Sequence, residues 1–104
     1  MNNPKYSVVI PVYNRPDEVK ELLESLLLQT QKNFEVIVVD DGSASPCEEV
    51  VKAFFELLSI RYYFKPNSGP GPSRNFGFEH AKGDYYIVFD SDCILPPGFF
   101  SSVE

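Results

Sequence analysis

Four short, almost wholly apolar runs, separated by stretches with helical spacing, limit most strongly what this chain can fold into. They are residues 6–13 (Tyr-Ser-Val-Val-Ile-Pro-Val-Tyr), 34–40, 60–64 and 85–89. A strand that is apolar on both faces belongs inside a parallel sheet covered by helices, because a half-solvated strand alternates instead. The first intervening stretch supplies such a helix. Asn14 reads as its N-cap, Pro16 lies in the first turn, and Val19, Leu22, Leu23, Leu26 and Leu27 make one apolar face. A second helix is expected from about Glu48, with Val50, Val51, Phe54, Phe55 and Leu58 inward. A third is expected over residues 73–81, with Phe76 and Ala81 inward, after a Pro- and Gly-rich loop over residues 66–72. Another helix is expected after Pro96-Pro97-Gly98. Strand and helix alternating in this way predict an α/β fold, a Rossmann-like three-layer α/β/α sandwich with a mostly parallel sheet.

In such sheets ligands bind beyond the C-terminal ends of the strands. The polar residues of this chain follow that rule. Strand one ends in Tyr13-Asn14, strand two in Asp40-Asp41, strand three in the Gly-rich loop and Arg74, and strand four in Asp90-Ser91-Asp92. Asp90 and Asp92, at positions i and i+2, can offer hard oxygen ligands to Mn²⁺ or Mg²⁺, which keep water and phosphate in their shells. The bland alternative is a turn capped by Asp90. Asp40-Asp41-Gly42-Ser43 sets two carboxylates side by side, where each should raise the other's pKa unless a partner or ligand uses one of them. An Asx turn with Gly42 at positive φ accounts for one Asp, and Asp41 is the choice for an acceptor facing a base or ribose. Asn67 to Asn75 opens a helix whose N-terminus favours phosphate, and Arg74 in its first turn suits a diphosphate better than it suits the helix dipole. The glycines there form neither a dinucleotide fingerprint nor a phosphate-binding loop of the Walker type. Tyr13 could stack on a base or simply finish the core. His80, late in its helix, reads as solvated rather than catalytic.

Composition removes other classes. Across 104 residues the formal charge is −6, which argues against nucleic acid or an anionic membrane surface as partner. Cys47 and Cys93 are too few for a disulfide framework and lack metal-site spacing. No apolar run reaches membrane-spanning length and the first residues are polar. The expected location is therefore cytoplasmic, or at the inner face of a membrane.

Four segments together resemble the inverting glycosyltransferase family 2 of the GT-A fold, which includes bacterial polysaccharide synthases. These are Ser7-Val-Val-Ile-Pro-Val-Tyr-Asn14, Glu35-Val-Ile-Val-Val-Asp-Asp-Gly-Ser43, Ser73-Arg-Asn-Phe-Gly77 and Phe89-Asp-Ser-Asp92. The resemblance covers nearly the whole chain and implies a hexosyl transfer with inversion, from a UDP-linked sugar to a saccharide or lipid-linked acceptor hydroxyl. It implies that Pro11, Tyr13 and Asp41 line the nucleoside pocket, with Asn14 on the same nucleotide-sugar site. Arg74 then stands near base and phosphates, Asp90 near the ribose, and Asp92 of the DXD motif on the metal. The family's acceptor-binding half has no counterpart in residues 1–104, and its catalytic base, a carboxylate, is expected beyond Glu104. The chain is thus expected to be the donor-binding part of a truncated domain, inactive alone, and prone to self-association through an exposed sheet edge. A sugar nucleotidyltransferase-like enzyme, a phospho-acceptor receiver module and a non-catalytic nucleotide-binding domain are the rival readings.

Overall fold

The computed structural model describes residues 4–29, 33–44 and 46–89. Within these residues seven elements alternate: β1 (Tyr6–Val12), α1 (Pro16–Leu27), β2 (Phe34–Asp41), α2 (Glu48–Lys52), β3 (Ile60–Lys65), α3 (Pro70–His80) and β4 (Tyr85–Val88). The four strands form one sheet in the order β3-β2-β1-β4, with every neighbouring pair parallel. This is the α/β sandwich expected from the apolar runs.

Side-chain alternation divides the core into two layers. On one face Tyr6, Val8, Ile10 and Val12 of β1 join Phe34, Val36 and Val38 of β2. Val19, Leu22, Leu23 and Leu26 of α1 and Val51 of α2 cover them. Those four α1 residues are fully buried, and each such side chain contributes about 1.5–3 kcal/mol relative to exposure. The other face of β1 and β2 carries α3. Gly77 allows the close approach there, since a Cβ at that position would meet Val9 Cγ1 at 2.5 Å.

The strand order explains why the helices divide in this way. The chain steps outward from β1 to β2 to β3, then reverses and crosses over both to place β4 against the free side of β1. With right-handed crossovers, reversing direction moves the connecting helix to the opposite face, which is where α3 lies. The sheet therefore has its topological switch point between β1 and β4, and a ligand crevice forms where such a switch meets the C-terminal ends of the strands.

Several local expectations are corrected. Arg15, not Asn14, is the N-cap of α1. Asn14 is instead held at φ 55° and donates its backbone N–H to Ser43 Oγ at 2.8 Å. α2 ends at Lys52 and the chain continues in turns, so Phe55 is 47% exposed rather than inward, while Val51, Phe54 and Leu58 are buried. α3 starts at Pro70, three residues before the expected start. Proline at N1 needs no N–H partner and its φ is already helical, so the Pro-Gly-Pro sequence that reads as loop opens the helix. Arg74 consequently sits in the second turn. Ala81 is the half-buried C-cap rather than an inward helical residue. The helix expected after Gly98 lies outside the described residues. Among the described residues no helix is long and apolar enough to cross a membrane.

Candidate functional site

The C-terminal rim is built from three connections: residues 13–15 after β1, residues 42–47 after β2 and residues 66–69 after β3. Two adjacent carboxylates hold the second and third, and Ser43 Oγ ties the first to the second. Asp40, fully buried, accepts the Ser43 N–H at 3.1 Å, the Cys47 N–H at 3.2 Å and the Tyr62 hydroxyl at 2.7 Å. It is the structural member of the pair, closing the β2–α2 loop and tying it to β3. Burial, with the Asp40 carboxylate beside it, pushes the Cys47 thiol up to about 12 and the Tyr62 hydroxyl well above its ordinary value. Both groups stay protonated, so Cys47 is an inert core thiol.

Asp41 also has protein donors on both of its oxygens. Its Oδ1 accepts the Ser68 N–H at 2.8 Å and Lys65 Nζ at 3.1 Å. Its Oδ2 accepts the Gly69 N–H at 2.9 Å and a longer contact from Asn67 Nδ2 at 3.3 Å. Asn67 Nδ2 lies closer to the Asp41 backbone carbonyl, at 3.0 Å. Lys65 also donates to the Pro66 carbonyl at 2.9 Å and to Ser68 Oγ. Burial alone would raise the Asp41 carboxyl. The Ser68 N–H, the Lys65 ammonium and the Gly69 N–H outweigh it and hold the group below its usual range. The expected mutual raising of the two carboxyls is thus reversed at Asp41. Two consecutive backbone N–H groups, at the N-terminus of α3 and beside a lysine, make an anion cradle. The sequence offered that helix N-terminus to a phosphate, and the two N–H groups just before it, of Ser68 and Gly69, are taken by Asp41. Gly69 adopts φ 97° to aim its N–H inward, a conformation that side chains strongly disfavour.

The other site residues expected from the sequence fall around this pair. Tyr13, 52% exposed, follows β1 directly, and Pro11 is half-buried opposite Val39 in the sheet register. Asn14 is locked to Ser43 in the neighbouring loop. Gly42 takes φ 72°, as the turn reading required. Arg74 is exposed on α3. Asp90 and Asp92 lie outside the described residues, and so does Cys93. Glu104, the residue beyond which the catalytic base is expected, lies outside them as well. The described residues contain no group of three or more His, Cys, Asp or Glu side chains able to hold a metal ion. Asp40 and Asp41 both accept hydrogen bonds from protein donors. His80 is half-buried rather than solvated, with its ring against Tyr63 and Phe76 at 4.5 Å from each.

Sequence reasoning missed Tyr62 and Lys65 at this rim, and a second polar cluster at the opposite one. Glu35, buried inside β2, accepts the Ser7 hydroxyl at 2.6 Å, Arg61 Nη2 at 2.5 Å and the Lys82 N–H at 2.6 Å. The signal was available: a glutamate inside an otherwise apolar strand needs partners from neighbouring strands. Burial raises its carboxyl, but the hydrogen bonds from Ser7, Lys82 and Arg61 bring it below its ordinary value.

Residues 7–103 match the profile of the family described as Glycosyl transferase family 2. The chain is 44% identical over 92 residues to an uncharacterized glycosyltransferase of Rickettsia felis, a match covering 88% of this chain and 15% of the relative. It is 38% identical over 89 residues to glycosyltransferase GlyA of Streptococcus pneumoniae serotype 4, covering 85% of this chain and 13% of that protein. Among solved structures, S. aureus TarS 1-349 in complex with UDP-GlcNAc superposes with a TM-score of 0.90 at 34% identity, covering 95% of this chain and 30% of that chain. The mannosyltransferase PcManGT from Pyrobaculum calidifontis, in complex with GDP-Man and Mn²⁺, shares the fold with a TM-score of 0.82 at 24% identity, covering 92% and 30%. The chain thus spans less than a third of the length of each of these proteins.

Proposed function

The chain belongs to glycosyl transferase family 2, and from that premise we propose that its C-terminal rim binds the nucleotide-sugar donor of a sugar-transfer reaction. The observation that carries this reading is the topological switch beside β1, whose loop at Tyr13 and Asn14 is tied to the Asp41–Ser43 loop by the Asn14 N–H bond to Ser43 Oγ. A nucleoside fits there with its base beside the exposed Tyr13 ring and with Pro11 and Asp41 as neighbours. A uracil base, which presents an N–H, suits an ionised carboxylate that can only accept. The TarS complex with UDP-GlcNAc supports the same choice of donor class. Arg74 is the group we assign to the diphosphate and Asp90 to the ribose.

Asp92, with Asp90, would hold Mn²⁺ or Mg²⁺. The bound cation would neutralise charge on the departing diphosphate. The reaction is transfer of a hexosyl group to a hydroxyl of a saccharide or lipid-linked acceptor, with inversion and in cell-surface polysaccharide synthesis, at the cytoplasmic side of a membrane. Inversion by a single displacement also needs a base within hydrogen-bond reach of the acceptor, and neither rim carboxylate of the described residues is free for that task. As the family resemblance implies, we assign the base to a carboxylate beyond Glu104.

Calorimetry with UDP, with and without Mn²⁺, tests this directly. The expected result is UDP binding that tightens with Mn²⁺ and loses that dependence in Asp92→Ala. No UDP binding under either condition would end the nucleotide reading. Equal affinity with and without Mn²⁺ would end the metal assignment alone.

A further inference from the structure

We propose that Lys65 is a positioning residue for base recognition: it commits one oxygen of Asp41 to the protein and leaves the other as the acceptor for a base N–H. This rests on the nucleotide reading above.

The geometry assigns the role through the unequal claims on the two oxygens. Lys65 ends β3 directly opposite Asp41 in the sheet register. Its side chain is largely withdrawn from solvent. An ammonium has three N–H groups, and here they meet three acceptors: Asp41 Oδ1, the Pro66 carbonyl and Ser68 Oγ. No donor is left over to wander to a ligand. Oδ1 is saturated by Lys65 and the Ser68 N–H, both at good hydrogen-bond distance. Oδ2 has one good partner, Gly69 N–H, and one long contact at 3.3 Å from Asn67, whose amide has a nearer acceptor in the Asp41 carbonyl. Replacing that long contact by a ligand N–H sacrifices little, whereas displacing Lys65 would break an ion pair shielded from water.

Lys65 also keeps Asp41 ionised, together with the two backbone N–H groups. An ionised carboxylate can accept a hydrogen bond and cannot donate one. The rim therefore selects bases that present an N–H and rejects those that present only a ring acceptor at the same place. Without the lysine the carboxyl loses its only cationic neighbour among the described contacts. Its protonation should then occur at higher pH, and the carboxyl should be free to turn.

The test compares UDP with its N3-methylated analogue on the intact chain, for wild type, Lys65→Met and Lys65→Arg, over a pH series, with a melting curve for each protein. Wild type should bind UDP about tenfold or more tightly than the methylated analogue, the worth of one charge-assisted hydrogen bond. Lys65→Met should lose most of that discrimination, and the acid limb of its UDP-binding profile should move to higher pH. Lys65→Arg should keep the acid limb near the wild-type position because it keeps the charge. Wild type binding both ligands equally would overturn the base reading and this inference with it. Full discrimination and an unmoved acid limb in Lys65→Met would overturn the role of Lys65 alone, whatever happens to its melting temperature.

Discussion

Asp41→Asn changes one atom, and the structure sets what that should do to the fold. The carboxylate receives four donors, two on each oxygen: Ser68 N–H and Lys65 on Oδ1, Gly69 N–H and Asn67 on Oδ2. An amide keeps one oxygen, so one pair of donors survives in either rotamer. The NH₂ group then faces the other pair donor to donor. Hydrogen bonds to charged groups contribute about 1.5–3 kcal/mol each, and the rotamer that keeps the Lys65 and Ser68 donors gives up one good bond, from the Gly69 N–H, and the long Asn67 contact, and adds a donor-to-donor clash. Residues 66–68 are exposed, and water can satisfy part of what the amide abandons. A net destabilisation of about 2–3 kcal/mol remains. For a domain of this size each kcal/mol moves the melting temperature by roughly 4–8 °C, so the variant should melt about 10–20 °C lower. Circular dichroism on both proteins measures it. A drop of less than about 3 °C would refute the view that Asp41 anchors the β3–α3 loop. It would return the residue to a purely ligand-facing role, in which only nucleoside affinity suffers.

Gly77→Ala should lower stability by about 1–3 kcal/mol through overpacking, because the new methyl falls 2.5 Å from Cγ1 of the fully buried Val9; denaturant titration reads it, and an unchanged midpoint would mean that α3 can lift off the sheet freely. Glu35 and Asp41 both titrate below their ordinary values in the folded chain. Their contribution is therefore complete above the unfolded values near about pH 4 and is lost as pH falls through the lower folded ones. Melting temperature should be flat from about pH 7 to 5 and fall below about pH 4, with a shallower fall in Glu35→Gln; a maximum in acid would contradict the sign of both shifts. Arg74→Ala should weaken UDP binding more than uridine binding, since a guanidinium near a diphosphate acts on its oxygens. Equal losses in calorimetry would place Arg74 on the base or in the scaffold.

The layered fold was legible because it is written in period and polarity. Continuous apolar runs such as Val36-Ile37-Val38-Val39 cannot be half-solvated, and the spacing of Val19, Leu22, Leu23 and Leu26 leaves one face to bury. At the ends of β1 and β2 the rim was legible for a related reason, since polar residues at strand ends have few other places to go. What stayed hidden depended on partners far apart in sequence. Nothing near Lys65 announces that its ammonium meets Asp41, 24 residues earlier. The sequence singled out Asp41 as a ligand group, but only the sheet register shows that the protein itself satisfies it first. Strand order was equally hidden: the β1–β4 pairing, and with it the switch point, depends on a crossover that no local pattern encodes. The start of α3 was misplaced because proline signals a break in most contexts and a beginning in this one.

The Glu35 cluster at the far rim bears on how the chain reaches its native state. Its members are distant in sequence: Arg61 lies 26 residues from Glu35, Lys82 lies 47, and the Gly83 N–H closes onto Ser7 Oγ across 76. Contacts of such separation form late, because the entropy of closing a long loop must be met before the contact returns anything. On a chain emerging N-terminus first, β1, β2 and β3 can pair before residue 83 exists. Glu35 would then wait, held by Ser7 and Arg61, until the turn before β4 arrives with its backbone N–H groups. Among the described elements, the docking of β4 against β1 is thus expected last, and the crevice beside those two strands forms with it. Refolding experiments should find the Tyr85 and Tyr86 environment, at the β4 edge, maturing in the slowest phase.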